Sequence, residues 1–165
     1  LVAHGDVEER FLKTPTDARD LICVALAGRA AELQEYGEAS SGISSDLAVA
    51  TTIASQLVGQ LGNGPGLLSL EAAAIPGAGN LVSKVISDDA SRDAAEALMT
   101  EGSERAAFMT SKYREALLRI ADGLCATDEM EGADIKAIVA EYTDVTERRG
   151  PVRIAANRQQ VSDSL

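Results

Sequence analysis

The chain has 165 residues, of which 45% are apolar, and its 26 acidic and 15 basic side chains give a net charge of −11. This length and apolar content suffice for one compact hydrophobic core. The acid excess argues against nucleic acid as a partner, because surfaces that bind phosphate backbones gather Lys and Arg. No apolar run approaches the roughly 18–20 residues that span a bilayer, so we expect the chain itself to be cytoplasmic.

The counts of histidine and cysteine exclude several kinds of site. His4 is the single histidine, so the chain cannot complete H-E-x-x-H or any other site that needs two imidazoles. The phosphate-binding pattern G-x-x-x-x-G-K-[ST] does not occur either. Cys23 and Cys125 lie too far apart for a C-x-x-C motif, and both fall in apolar-periodic segments. We therefore predict two reduced, buried, structural cysteines.

Two helices are predicted in the first third of the chain. Thr14 as N-cap and Pro15 at the first helical position start a helix over 15–36 that ends before Gly37. A second helix over 45–61, capped by Ser44 or Ser45, carries apolar residues at spacings of three and four. The following residues 62–80 hold five glycines and two prolines, which predicts a loop with at most a short strand or helical turn.

Two further helices are predicted in the second half. Absence of proline and a sustained helical period favour one long helix over 87–124, capped by Ser87. Gly102 in that helix would allow close packing against a neighbour. The last helix is predicted over 133–143. The expected fold is therefore all-α, with four main helices, a Gly/Pro-rich loop and at most a short strand at the N-terminus.

Three phrases in order identify a family. They are LAGRAAELQEYG at 26–37, SSGISSDLAVATTIASQLV at 40–58 and EMEGADIKAIV at 129–139. Together they resemble the peptidase domain of FtsH-type AAA+ zinc metalloproteases, in which a GGRAAEE helix is followed by TGA-x-NDL-x-x-AT-x-IA-x-x-MV and a later L-D-G-E-E-I. The resemblance implies a partial helical peptidase domain over 1–147, followed by a flexible basic tail over 148–165.

The resemblance implies a role for two acidic residues. The family binds zinc through two histidines of H-E-x-x-H and one aspartate at the start of the second helix, and that aspartate is Asp46 here. A helix N-terminus keeps such a carboxylate ionised, as a metal ligand must be, although the same dipole also favours acids without a metal. Glu32 matches a glutamate that supports the zinc site, and a solvated surface acid is the alternative. Arg29 is predicted to pair with a nearby carboxylate.

In the family, the rest of the catalytic machinery lies before the segment that residues 1 to 13 resemble. There the zinc polarises the scissile carbonyl and the glutamate of H-E-x-x-H takes the proton of the attacking water. His4 is followed by Gly5 and Asp6 and cannot be this motif. We therefore assign no catalytic residue within the chain and expect it to bind no zinc tightly by itself.

Smaller departures from the family phrases suit a divergent relative. Ser45 stands where the family has asparagine before the ligand, and Ser55 stands where it has arginine in the phrase IARxMV. Gly-Asn-Gly-Pro-Gly at 62–66 replaces the family's GMS turn.

Three hypotheses for function follow. In the first, the chain is a fragment of an FtsH-like ATP-dependent protease, which implies protein substrates, an AAA+ module on the same chain, a hexamer and a tether to the bacterial inner membrane. In the second, it is a non-catalytic relative that serves assembly or holds substrates. In the third, it is a stand-alone helical protein whose match is ancestral only. Sequence upstream of Leu1 would distinguish them.

Overall fold

The computed structural model describes residues 14–72 and 79–149, with side chains up to residue 142. Its regular elements are α1 Pro15–Tyr36, a 3-10 turn Ser41–Ile43, α2 Ser44–Gly59, α3 Leu81–Ser87, α4 Asp89–Lys112, α5 Arg114–Thr127 and α6 Gly132–Arg149. Within these described ranges there is no strand, which confirms the all-α prediction. The predicted N-terminal strand lies outside the described residues, as does His4. Contacts divide the chain into one unit that ends at Ser111 and a second that begins at Lys112.

The first helix begins and ends as predicted. The Thr14 hydroxyl accepts from the Asp17 backbone N–H at 3.2 Å, and the Asp17 carboxylate accepts from the Thr14 backbone N–H at 2.8 Å. This reciprocal capping box satisfies two N–H groups at the helix start. Gly37 adopts a left-handed backbone (φ 78°) and its N–H donates to Leu33 O, which ends α1.

The second helix is present, but its predicted cap is wrong. Ile43 precedes α2 and supplies no side-chain hydrogen bond, while Ser44 and Ser45 lie inside the helix. The capping serine is Ser40, whose hydroxyl accepts from the Gly42 N–H at 3.3 Å and starts the 3-10 turn. Since this extra turn runs directly into α2, the helix needs no separate cap.

The core of the first unit is built from α1, α2, α3 and α4. Ile22, Leu57 and Val85 are fully buried, each from a different helix. Small residues let the helices approach closely: Gly59 at the end of α2 faces Leu81 of α3, and Gly102 of α4 faces Ile22 of α1. The predicted role of Gly102 in close packing is thus confirmed.

The glycine-rich segment after α2 is held at one point. The Leu70 N–H donates to Gly59 O at 2.8 Å, and the ammonium of Lys84 in α3 donates to Leu70 O at 3.0 Å. Residues 60–72 otherwise form turns without a strand or helix. The remainder of the predicted loop, 73–78, lies outside the described residues.

The predicted long helix over 87–124 is wrong because Tyr113 divides it, its start is capped by Asp88 and not by Ser87, and the short helix α3 before it was not predicted. Asp88 is extended (φ −100°, ψ 117°) and separates α3 from α4. Its carboxylate, and not the Ser87 hydroxyl, accepts from the Ser91 N–H at 2.9 Å and so caps α4. Tyr113 (φ −107°, ψ 25°) separates α4 from α5. A single non-helical residue hardly changes hydrophobic periodicity, so the pattern did not reveal either break.

The second unit contains α5 and α6. Asp128 is left-handed (φ 63°) and ends α5, with its N–H donating to Leu124 O. The last helix extends to Arg149, six residues past its predicted end, so the predicted tail begins within a helix. The rest of that tail, 150–165, lies outside the described residues.

Two further sequence predictions concern membranes and cysteines. No helix of the described residues is long and apolar enough to cross a membrane. Both described cysteines are free thiols, but Cys23 is only half-buried and Cys125 is exposed. The prediction of two buried cysteines is therefore wrong for Cys125, which lies on the solvent side of α5.

Candidate functional site

Asp46 lies in the first turn of α2, beside the backbone of α1. Its Oδ2 atom is 3.8 Å from the position that a Cβ on Gly28 would take. The side chain is exposed, and within the described residues neither a hydrogen bond nor an ion pair engages its carboxylate. The carboxylate is therefore free to bind a ligand.

Apolar side chains border this carboxylate on both helices. Val24 of α1 is 69% exposed and Val49 of α2 is 51% exposed. Val24 and Gly28 are four residues apart in α1, and Asp46 and Val49 are three apart in α2, so each pair shares a helix face. The described part of the chain leaves this apolar border uncovered.

Glu32 holds the segment that leads into α2. Its carboxylate oxygens accept from the Ser40 backbone N–H at 2.5 Å and from the Ser40 hydroxyl at 3.1 Å. Ser40 in turn starts the 3-10 turn that precedes Asp46. Glu32 thus fixes the entry to the helix that carries Asp46, and its predicted support of a zinc site stays a prediction.

Zinc needs more donors than this site shows. Within the described residues no three His, Cys, Asp or Glu side chains lie close enough together to hold a metal ion. Structural and catalytic zinc sites use at least three protein ligands. The described residues therefore do not form a zinc site by themselves, and Asp46 fits only as one ligand of a larger set.

A cleft that the sequence analysis did not predict opens in the first unit. It has a volume of about 620 Å³, and Leu26, Ala54 and Met99 are among its apolar lining residues. Its polar lining includes Arg29 of α1, Ser55 of α2 and Glu96 and Glu104 of α4. No sequence motif points to it, because its residues come from separate helices.

The predicted ion pair of Arg29 is not found. Among the described residues no carboxylate lies within 4.0 Å of its guanidinium, although α1 and α4 do form another pair. Arg105 of α4 contacts Asp20 of α1 at 2.5 Å. The hydrogen bond and the charge of Asp20 raise the pKa of Arg105 above its usual value.

Comparison with known proteins identifies the family. The sequence profile of peptidase family M41 matches residues 6–138. The chain belongs to peptidase family M41. This match confirms the resemblance drawn from the three phrases, and it includes both Glu32 and Asp46.

Individual M41 relatives are ATP-dependent zinc metalloproteases by name. FtsH of Methylococcus capsulatus is 32% identical over 148 residues, which cover 82% of this chain and 22% of the relative. FtsH 1 of Symbiobacterium thermophilum is 34% identical over 155 residues, covering 91% and 24%. FtsH of Thermotoga maritima is 27% identical over 151 residues, covering 84% and 24%. The chain thus spans about a quarter or less of the length of these M41 relatives.

Proposed function

We propose that this M41 chain is part of the peptidase region of a longer FtsH-like, ATP-dependent zinc metalloendopeptidase, and that Asp46 is one of its zinc ligands. The observation that carries the proposal is the free carboxylate of Asp46 at the start of α2. By the resemblance of its phrase it corresponds to the family's third ligand, and no described hydrogen bond or ion pair competes for it.

The surroundings of Asp46 support this role. The apolar border formed by Val24 and Val49 offers apolar side chains from two helices against which a further helix could pack. A helix packed there would bring its own side chains beside Asp46. We propose that the two histidines and the general base come from an upstream H-E-x-x-H helix at this surface, and that zinc, when bound, supplies Lewis-acid activation of a peptide carbonyl.

Further features of the parent rest on the family resemblance, and the relatives' names support only part of them. The names of the relatives include ATP dependence and zinc. We propose for the parent an AAA+ module on the same chain, unfolded or membrane proteins as substrates, a hexameric assembly and a tether at the bacterial inner membrane. The fragment itself carries no residue to which we assign a catalytic step.

Substitution of Asp46 tests the proposal in the full-length protein. Asp46→Ala is expected to remove zinc and to abolish degradation of an unfolded protein substrate, because a zinc site rarely holds its metal after losing one of three protein ligands. Zinc per protomer, measured by mass spectrometry of the metal, reports binding independently of activity. The matched control is Asp134→Ala, which removes a first-turn acid from α6 and is expected to leave both measurements unchanged. Full zinc content in the Asp46→Ala protein would contradict the assignment.

A non-catalytic relative is the second candidate, and upstream sequence decides between the two. An H-E-x-x-H motif and a phosphate-binding loop encoded upstream in the same reading frame would support the protease. An upstream segment with the histidines and glutamate replaced would support an assembly or substrate-holding role. In either case the 165-residue chain alone is expected to keep no stoichiometric zinc after dialysis.

A further inference from the structure

The cleft of the first unit combines an apolar floor with a charged side. The floor consists of side chains from α1, α2 and α4, including Leu26, Ala54 and Met99. Its volume of about 620 Å³ is within the range of natural ligand pockets, roughly 300–1,000 Å³. The cleft can therefore hold several side chains of a bound molecule.

Unpaired carboxylates predominate among the charges of the cleft. Glu96 and Glu104 lie eight residues apart in α4 and both line the cleft, and neither forms an ion pair with a described residue. Arg92 is already engaged with Asp89 at 2.9 Å. Arg29 is the one lining cation without a described carboxylate partner, so two carboxylates face a single available cation. The charge of the cleft thus favours a cationic occupant.

A buried hydroxyl provides an independent sign of an occupant. Ser55 is only 1% exposed and lines the cleft, and its Oγ has no hydrogen-bond partner among the described residues. The neighbouring hydroxyls of Thr51 and Thr52 both donate to backbone oxygens one turn earlier, at 2.8 and 2.9 Å. Because buried polar groups in folded proteins are nearly always paired, the Ser55 hydroxyl indicates a partner from outside the described chain.

We propose that this cleft binds a segment of a partner protein that presents an arginine or lysine flanked by apolar side chains. The apolar flanks contact the floor at Leu26 and Met99, the basic group lies between Glu96 and Glu104, and a polar atom of the segment pairs with Ser55. The lining of this cleft includes Leu47 but not Asp46 itself, and the proposed binding does not depend on zinc.

Two blocked tripeptides serve as probes, Leu-Arg-Leu and Leu-Gln-Leu, titrated into the 165-residue chain and followed by backbone amide NMR shifts. The arginine peptide is expected to shift amides around the cleft and to bind about two to five times more tightly, as expected for exposed ion pairs. Equal affinity of the two peptides, or shifts that lie elsewhere, would overturn the proposal.

A charge-matched pair of double variants locates the interaction. Glu96→Gln with Glu104→Gln is expected to abolish the preference for the arginine peptide. Asp93→Asn with Glu101→Gln also changes two charges on α4 but lies outside the cleft lining, and it is expected to retain the preference. Loss of the preference in both double variants would show a general charge effect and overturn the proposal.

Filling the cleft from within gives a second test. Ser55→Arg places a guanidinium inside the cleft and restores the residue that the family phrase has at this position. The variant is expected to bind neither peptide, and unchanged binding would contradict the proposal. If Ser55→Arg does not fold, the two double variants decide.

The occupant could also be a second copy of this chain. Concentration-dependent self-association that the Glu96→Gln, Glu104→Gln variant removes would identify a second copy as the occupant and overturn the partner assignment. None of these measurements uses zinc or proteolysis, so their failure would leave the proposed function intact.

Discussion

Gly102 shows how a single missing side chain determines helix spacing. A Cβ at this position would lie 2.5 Å from Ile22 Cγ2 and 3.5 Å from Leu26 Cδ1. Ile22 is fully buried and branched at Cβ, so it has little freedom to move aside. The contact between α1 and α4 therefore requires glycine at position 102.

Substitution of Gly102 by alanine is expected to destabilise the first unit. Overpacking costs about 1–3 kcal/mol, whereas the higher helix propensity of alanine returns about 1 kcal/mol, so a net loss of roughly 1 kcal/mol is expected in chemical denaturation. The control is Gly28→Ala in α1, where the nearest neighbour of the new Cβ is Asp46 Oδ2 at an ordinary 3.8 Å. Gly28→Ala should be neutral or stabilising, and equal losses in both variants would contradict the packing argument.

Some candidate site residues can be predicted from the sequence and others cannot, and the two groups are of different kinds. Asp46 and Glu32 are predicted as site residues because each stands in a short phrase whose order along the chain is itself the signal. Arg29, Ser55, Glu96 and Glu104 converge only after three helices pack. Nothing in their local sequence marks them as neighbours, and the departure at Ser55 from the family's arginine was the one available hint.

Among the elements, the junction of α3 and α4 depends on Asp88. Hydrogen bonds from the Ser91 side chain and backbone N–H lower the pKa of this carboxyl from 3.8, with a smaller contribution from Arg92. The ionised form is thus favoured in the folded chain. The stabilisation is complete above the unfolded-state pKa and is lost as the pH falls through the folded-state pKa.

Asp88→Asn separates charge from capping. Asparagine is also a good N-cap, so α4 should still form, but its side chain does not titrate. Thermal unfolding is expected to show a lower Tm than the original chain near neutral pH, with the difference shrinking as the pH falls below 3.8. A constant difference across that range would exclude the Asp88 titration as its source. Asp128→Asn, which changes a left-handed helix-ending residue, is the control for loss of one charge.

Helix positions were predictable where strong end signals exist. Thr14, Pro15 and Gly37 delimited α1 correctly because caps act through local backbone geometry. The break at Tyr113 carries neither proline nor glycine, and periodicity continues across it, so one helix was predicted where the chain forms two, α4 and α5. The sequence patterns therefore predicted the helical type of these elements correctly but not where each helix begins and ends.

On the scale of the whole molecule, burial is unequal between the two units. Buried residues of the first unit form one core cluster that draws on α1, α2, α3 and α4. In the described part of the second unit, Ala116 of α5 is the one buried residue. Stability of a segment depends on such buried apolar contacts.

Hydrogen exchange is expected to reflect this inequality. Amides in the middle of α1 and α2 should exchange only through global unfolding, whereas those in α5 and α6 should exchange through a lower-energy opening of the second unit. Exchange followed by mass spectrometry gives both rates in one sample, and denaturant should accelerate the α1 amides far more steeply than those of α5. Equal protection in both units would contradict the assignment of the dominant core to the first.

The approach of Asp46 to Gly28 has a use in protein engineering. The Oδ2 atom of Asp46 lies over Gly28 of α1, which carries no side chain. A bulky side chain at position 28 would therefore block access to this oxygen without changing the charge of Asp46. A light-cleavable amino acid installed at position 28 would shield the oxygen until illumination removed the bulky group. If Asp46 is a zinc ligand as proposed, metal uptake by the proposed parent could then be started at a chosen moment.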